Sequence, residues 1–199
     1  MEDTMARIPY PEKNSLPQDA QALVDKAIRS GTGHIFWMWA HSVNTVGLVA
    51  QLGATQFADL ELPGSVRELM ILFAARTNSA DYEWVQHAPL SERAGVTAEQ
   101  RAALERNELT AACFDAQQAA ALQLAAAVQA GPTVPVAVFQ TAQKQFSNRQ
   151  LVELVGVLGY YWMLGRVATV FQVDLDVATG TGVYDEGLRI AAQKGGQTR

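Results

Sequence analysis

The chain has 199 residues, of which 49% are hydrophobic and 18% are charged, so it can bury a sizeable core and is not disordered. The formal net charge of -5 argues against a nucleic-acid-binding surface or an anionic-membrane surface. The single cysteine, Cys113, excludes an internal disulfide, a CxxC redox pair and a zinc site built from cysteines.

Two long apolar segments, 34–53 and 151–173, have the length of a membrane span. Polar or charged residues interrupt both segments, which favours helices buried in a core or at a subunit interface. The first residues contain no apolar stretch of the secretory type. We therefore expect a cytoplasmic protein with no membrane partner.

Helix start and stop patterns follow one another along the chain. The capping-box pattern predicts helix starts at five pairs: Ser15 with Gln18, Ser65 with Glu68, Thr97 with Gln100, Asp115 with Gln118, and Ser147 with Gln150. The predicted stops are Gly31, Gly53, Pro63-Gly64, Gly95 and Gly131-Pro132.

These patterns predict a helix over about 16–30 and an aromatic helix over about 34–52. A later helix, capped by Asn78 or Ser79, contains Pro89, which removes a backbone donor and should kink the helix. No segment shows the sustained apolar–polar alternation of a strand. The sequence therefore predicts an all-α fold.

The best candidates for chemistry are three acids, Glu68, Asp81 and Glu83, together with His87. Glu83 and His87 are four residues apart and share one helix face, where a carboxylate can fix the imidazole tautomer for acid–base work. Glu68 lies on the preceding helix, and a tight connection would fold it back against that face. Each residue also has a structural interpretation: Glu68 as part of a capping box, the acids as first-turn residues, and Glu83 with His87 as a surface pair.

The stretch 67–97, RELMILFAARTNSADYEWVQHAPLSERAGVT, resembles the carboxymuconolactone decarboxylase family, which includes the alkyl hydroperoxidase D-like proteins. The segments MWAHSVNTVGLVAQLG and LVELVGVLGYYWMLGRV also fit, so the resemblance covers about 7–176. It implies an all-α, alkyl hydroperoxidase D-like helical bundle forming one domain over 1–199. The polar composition of 191–199 predicts a frayed tail. The resemblance also implies a homo-oligomer, a trimer or a hexamer.

In the hydroperoxidase branch of that family, a glutamate, a CxxC pair and a histidine form the site motif. The resemblance places Glu68 and His87 at the glutamate and histidine positions, but Ala80 and Glu83 at the two cysteine positions. Thiol peroxidase chemistry is therefore not expected, because both the nucleophile and its resolving partner are missing. The resemblance to the decarboxylase branch implies instead a lyase or isomerase that needs neither a metal nor an organic cofactor.

The expected function is that of an acid–base enzyme acting on a small carboxylated or carbonyl-bearing substrate, by decarboxylation, lactone isomerisation or a related proton transfer. His87 is the predicted general acid and base, Glu83 is predicted to orient or tune it, and Glu68 to share the proton relay. The alternatives are a ligand-binding protein without turnover and an oligomeric scaffold of the same fold, in which these three residues are replaceable.

The predicted substrate-binding residues are aromatic or imidazole side chains near this cluster: Trp39, His41, Tyr82 and Trp84. Tyr82 and Trp84 fit a pocket wall and a subunit interface equally well. His34 and His41 are seven residues apart, two turns along one face of the predicted helix, and could join His87 around a metal, but core or pocket-lining histidines account for the pattern better. No metal site is therefore predicted.

Overall fold

The computed structural model describes residues 6–176, and within that range the only regular elements are helices. After a 3-10 turn at Lys13–Ser15, the helices are α1 (Gln18–Arg29), α2 (Gly33–Trp39), α3 (Val43–Ala58), α4 (Gly64–Thr77), α5 (Asp81–Arg93), α6 (Ala98–Glu105), α7 (Ala116–Ala130), α8 (Val136–Gln143) and α9 (Asn148–Phe171). The all-α prediction is confirmed. The predicted tail at 191–199 lies outside the described residues.

The chain divides into two compact units, which are described separately. Among the described residues, the first unit contains 6–59 and 163–176, and the second contains 60–162. Helix α9 contributes residues to both units. The single domain over 1–199 stays a prediction.

In the first unit, α1, α2 and α3 pack against one another. Helix α1 buries Ala20, Val24 and Ala27, whose spacing of four and three residues places them on one face. The N-terminal segment is fastened to the end of α9, because the backbone N–H of Arg7 donates to the carbonyl oxygen of Phe171 at 2.8 Å.

The predicted aromatic helix over 34–52 is wrong as a single element. Helix α2 ends at Trp39, α3 begins at Val43, and α3 continues past Gly53 to Ala58. A glycine inside a helix costs only about 1 kcal/mol, so Gly53 is a weak stop that the rest of the helix overrides.

Side-chain hydrogen bonds account for the break between α2 and α3. The indole N–H of Trp39 donates to the Thr45 hydroxyl at 3.0 Å, and that hydroxyl donates to the Ser42 hydroxyl at 2.8 Å. Local bonds of this kind compete with helical backbone bonds. Because α2 ends before His41, the expectation that His34 and His41 share one helix face is also wrong.

Helix α4 is the centre of the second unit. All of residues 66–75 are buried, and α5, α6 and α7 each pack against this helix. Helices α4 and α5 form a hairpin through a short turn in which Ser79 has a φ of 52°. Ala80 is the N-cap residue of α5, so the predicted cap at Asn78 or Ser79 is wrong.

Three of the predicted capping boxes are confirmed: Thr97 with Gln100, Asp115 with Gln118, and Ser147 with Gln150. The other two are wrong, because a proline occupies the N-cap position of each helix. Helix α1 follows Pro17, and α4 follows Pro63. Glu68 is therefore not a helix cap, and its carboxylate is available for other contacts.

Helix α9 is long and apolar enough to cross a membrane by length and composition, although 44% of its apolar window is buried. The core helix of a soluble protein passes the same test. Glu153 on this helix accepts a hydrogen bond from the backbone N–H of Leu62 at 2.9 Å, and Tyr160 and Tyr161 are buried. These contacts favour a core helix. Some apolar side chains on α9 are exposed, among them Val152 and Trp162. The homo-oligomer stays a prediction.

Candidate active site

A buried network of three polar side chains, Arg67, Glu68 and His87, connects α4 to α5. The Arg67 guanidinium donates through Nε and Nη2 to Oε1 of Glu68, at 3.1 Å in both contacts. The other carboxylate oxygen, Oε2, lies 3.0 Å from Nδ1 of His87. The Glu68 side chain is 0% exposed and the Arg67 and His87 side chains are 8% and 9% exposed, so all three are buried.

The α4–α5 hairpin makes this contact possible, because it folds the first turns of α4 against the middle of α5. A buried carboxylate is costly unless charged partners and hydrogen bonds compensate for its lost hydration. Arg67 and His87 supply these partners, one for each oxygen of Glu68. The capping interpretation of Glu68 is replaced by a role in this buried network.

The network fixes the tautomer and the orientation of the imidazole. A carboxylate only accepts hydrogen bonds, so this contact selects the His87 tautomer with its proton on Nδ1. The Tyr161 ring packs edge-on against the imidazole, with ring centroids 4.8 Å apart and an interplanar angle of 84°. A histidine oriented in this way by a carboxylate has the arrangement of a general base.

Glu83 differs from its predicted role. Its carboxyl group is buried, and neither oxygen has a hydrogen-bond partner among the described residues. The prediction that Glu83 orients His87 is therefore corrected: Glu68 makes that contact, although Glu83 shares a helix with the histidine. The surface-pair interpretation is also wrong, because both residues are buried.

Burial raises the pKa of the Glu83 carboxyl from 4.5 to about 8. The backbone N–H of Glu83 itself lowers the pKa, but by less than burial raises it. Glu83 is therefore mainly a neutral carboxylic acid at pH 7. A neutral acid held in such surroundings can donate a hydrogen bond, which a carboxylate cannot do.

Several residues beside the site were missed by the sequence analysis. Gln86 is buried, and its Nε2 has no hydrogen-bond partner among the described residues. Tyr160 and Tyr161 pack edge to face with centroids 5.1 Å apart, and burial raises the pKa of both phenols, with the nearby Glu83 carboxyl contributing. The spacing of three residues from Glu83 could have pointed to Gln86, whereas the tyrosines resemble ordinary core residues.

The described contacts do not bring the predicted substrate-binding residues together in one place. Trp84 lines a pocket of about 290 Å³ with Arg76, Asp81 and Glu105, and this pocket is lined neither by Glu83 nor by the residues of the buried network. Tyr82 is buried on α5. Their roles stay predictions.

Trp39 and His41 belong to the first unit. The Nε2 atom of His41 lies 2.8 Å from the carbonyl oxygen of Pro9, and His34 pairs with Asp176 at 2.9 Å. Within residues 6–176, no group of three His, Cys, Asp or Glu side chains is arranged to hold a metal ion. Substrate binding by Trp39 and His41 stays a prediction.

Solved structures of alkylhydroperoxidase AhpD type have the same fold. A peroxidase-related protein from Silicibacter sp. TM1040 matches with a TM-score of 0.74 at 19% identity, over 92% of this chain and 97% of that one. An alkylhydroperoxidase AhpD core protein from Ralstonia eutropha JMP134 matches with a TM-score of 0.73 at 19% identity, over 92% and 96%. A variant of the debrominase Bmp8, in complex with 2,3,4-tribromopyrrole, matches with a TM-score of 0.70 at 14% identity, over 93% and 100%.

These likenesses define the class of fold as alkylhydroperoxidase D-like, in agreement with the prediction. Residues 46–127, which include the whole buried network, match the carboxymuconolactone decarboxylase family. This match agrees with the predicted resemblance to that family, and the one cysteine of the chain leaves no CxxC pair. No protein of curated function matches the chain.

Proposed function

We propose that the chain is an acid–base enzyme that needs no cofactor and that His87 is its general acid and base. The observation that carries the proposal is the network of Arg67, Glu68 and His87, which fixes the imidazole tautomer with Nε2 as the proton acceptor. In catalytic triads, likewise, a buried carboxylate orients the histidine and stabilises its protonated form.

The proposed step is a proton transfer next to a carbonyl group. Nε2 of His87 removes a proton from the carbon beside the carbonyl, and the electron pair of the broken C–H bond is delocalised onto the carbonyl oxygen. Glu68 stabilises the resulting imidazolium, and Arg67 holds Glu68 in place. Return of the proton to a conjugated carbon completes an isomerisation, and return to the same carbon gives hydrogen exchange with solvent.

Decarboxylation uses the second half of the same step. Carbon dioxide leaves with cleavage of the C–C bond, the electron pair stays on the substrate as an enolate, and the His87 imidazolium protonates it. Both reactions belong to the lyase or isomerase class that the family resemblance implies. The proposed substrate is a small molecule that bears a carbonyl or a carboxyl group.

The comparisons support a small substrate but not a particular one. The debrominase Bmp8 has a related fold and is complexed with 2,3,4-tribromopyrrole, so a fold of this class accommodates a small ring. Thiol peroxidase chemistry is not proposed, because Glu83 and Ala80 occupy the positions that the resemblance assigns to cysteines.

Solvent deuterium incorporation tests the proposal. The protein is incubated in D2O with a panel of lactone acids, β-keto acids and enolisable carbonyl compounds, and exchange or carbon dioxide release is followed by NMR. His87→Ala should abolish the reaction, while Glu92→Gln, which alters an exposed residue of the same helix, should leave it intact. Circular dichroism confirms that both variants fold.

Two results count against the proposal. Exchange that survives His87→Ala would show that another group performs the proton transfer. Absence of exchange with every compound, in a protein that binds some of them, would favour the ligand-binding alternative, and absence of both would favour the scaffold.

A further inference from the structure

We propose that Glu83 and Gln86 form an oxyanion site, and that the substrate presents to them a carbonyl oxygen that is uncharged before the reaction. This inference rests on the proposed function and deepens it. His87 removes the proton, and the pair of Glu83 and Gln86 receives the negative charge that develops on the carbonyl oxygen.

Helix geometry places the three side chains together. Glu83, Gln86 and His87 stand at positions i, i+3 and i+4 of α5, so they lie on one face with Cβ atoms about 5–6 Å apart. Their relative exposures are 3%, 6% and 7%, which means that all three face the protein interior. A carbonyl compound that reaches Nε2 of His87 is therefore close to the other two side chains.

Unpaired polar atoms on this face indicate a ligand. Oε1 and Oε2 of Glu83 and Nε2 of Gln86 are buried and have no hydrogen-bond partner among the described residues. Leaving a polar group buried and unpaired costs about 1–3 kcal/mol, so native proteins normally avoid it. By contrast, the buried amides of Gln100 and Gln118 bond to each other at 2.8 Å. A substrate oxygen that lies between them can accept from the Glu83 O–H and from the Gln86 amide N–H.

The charges around this face determine the class of substrate. The Arg67 guanidinium and the Glu68 carboxylate neutralise each other, and Tyr160 and Tyr161 are neutral phenols at pH 7. Glu83 is itself mainly protonated, because burial raises its pKa to about 8. A substrate carboxylate at this position would meet no net positive charge, whereas an uncharged carbonyl oxygen would accept hydrogen bonds from two donors.

Both donors act more strongly as the reaction proceeds. When His87 removes the proton, the C=O bond becomes a C–O bond and the oxygen gains negative charge. The Glu83 O–H and the Gln86 N–H then hydrogen-bond an oxyanion, which stabilises the transition state more than the ground state. When the imidazolium returns the proton to carbon, the C=O bond re-forms, and no oxidant or leaving group is required.

Phenols test this site, because an ionised phenol is a stable planar analogue of an enolate. The probe is 4-nitrophenol, whose ionised and neutral forms have different absorption spectra, titrated against the protein at pH 7. Removing one hydrogen bond to a charged group costs about ten- to a hundredfold in affinity. We expect that loss for both Glu83→Leu and Gln86→Leu, each of which removes a donor, and no change for the exposed control Glu92→Gln.

A second probe tests the substrate class. Benzoate has the same ring but carries its charge on a carboxylate, and we expect it to bind more weakly than 4-nitrophenol. If Gln86→Leu fails to fold, Gln86→Met retains the length of the side chain without the amide and replaces it in the titration.

The outcomes distinguish this inference from the proposed function. Phenol affinity that is unchanged in both the Glu83 and the Gln86 variants overturns the oxyanion site, even if His87→Ala abolishes proton exchange. Benzoate that binds more tightly than 4-nitrophenol overturns the assignment of an uncharged carbonyl substrate. Phenol binding that needs both residues supports the oxyanion site, even if the exchange experiment refutes the role of His87.

Discussion

Replacing Glu83 by glutamine should stabilise the protein above pH 5. The folded-state pKa of Glu83 is about 8, compared with an ordinary value of 4.5. Between these two values the folded protein holds a proton that the unfolded chain has released. The folded state therefore binds more protons, so the free energy of unfolding falls as the pH rises through this window.

The size of the effect follows from the pKa values. At pH 7 the unfolded chain is about 2.5 pH units above its pKa for this group, and about 1.4 kcal/mol per unit gives about 3 kcal/mol. Glutamine has a similar shape but does not titrate, so the variant escapes this loss. Glu83→Gln should equal the wild type near pH 4.5, exceed it by about 3 kcal/mol at pH 7, and level off above pH 8.

Urea unfolding of both proteins from pH 4.5 to 9 measures the difference directly. Any fixed cost of burying the amide shifts the whole difference curve, so the decisive quantity is its slope between pH 5 and 8. Glu92→Gln, at an exposed position of the same helix, should show no comparable slope. A flat difference curve for Glu83→Gln would refute the conclusion that this carboxyl is neutral in the folded protein.

Three further predictions follow from the described contacts. Glu68→Ala leaves the buried Arg67 without its carboxylate partner and should lower the free energy of unfolding by about 3–5 kcal/mol in urea titrations. As a control, Glu61→Ala breaks an exposed ion pair with Arg149 and should lower it by less than about 1 kcal/mol. Asp115→Ala removes a confirmed helix cap and should cost about 1 kcal/mol in the same assay, and an unchanged midpoint would contradict the capping geometry. The predicted homo-oligomer requires a mass above 21.5 kDa by light scattering, and a monomer at all concentrations would exclude it.

Much of the fold could be predicted because it depends on local patterns. The capping boxes at Thr97, Asp115 and Ser147 are confirmed, and the stops at Gly31 and Gly95 have positive φ angles of 74° and 91°. Predictions failed where tertiary or side-chain contacts decided the outcome.

The aromatic segment illustrates that limit. Its hydrophobic residues continue without a proline or a stop glycine between α2 and α3, so the sequence predicts one helix. The break depends on hydrogen bonds among Trp39, Ser42 and Thr45, and spacing alone does not indicate which of these polar side chains will bond to one another.

The sequence predicted which residues belong to the candidate site but not the role of each one. Spacing and the family resemblance pointed to Glu68, Glu83 and His87, and the structure buries all three in the second unit. Which carboxylate holds the imidazole depends on side-chain conformation and on the adjacent Arg67, which a helix-face argument does not resolve. Gln86 was missed because an uncharged amide in a helix gives no sequence pattern of its own.

Chemical rescue of proton exchange tests the central claim most directly. The rate of deuterium incorporation into the best compound of the panel is measured for wild type, for His87→Ala, and for His87→Ala with added imidazole. A positioned acid–base group contributes about a hundredfold or more to a rate, so we expect at least that loss, with partial recovery on adding imidazole. An undiminished rate in His87→Ala would contradict the account.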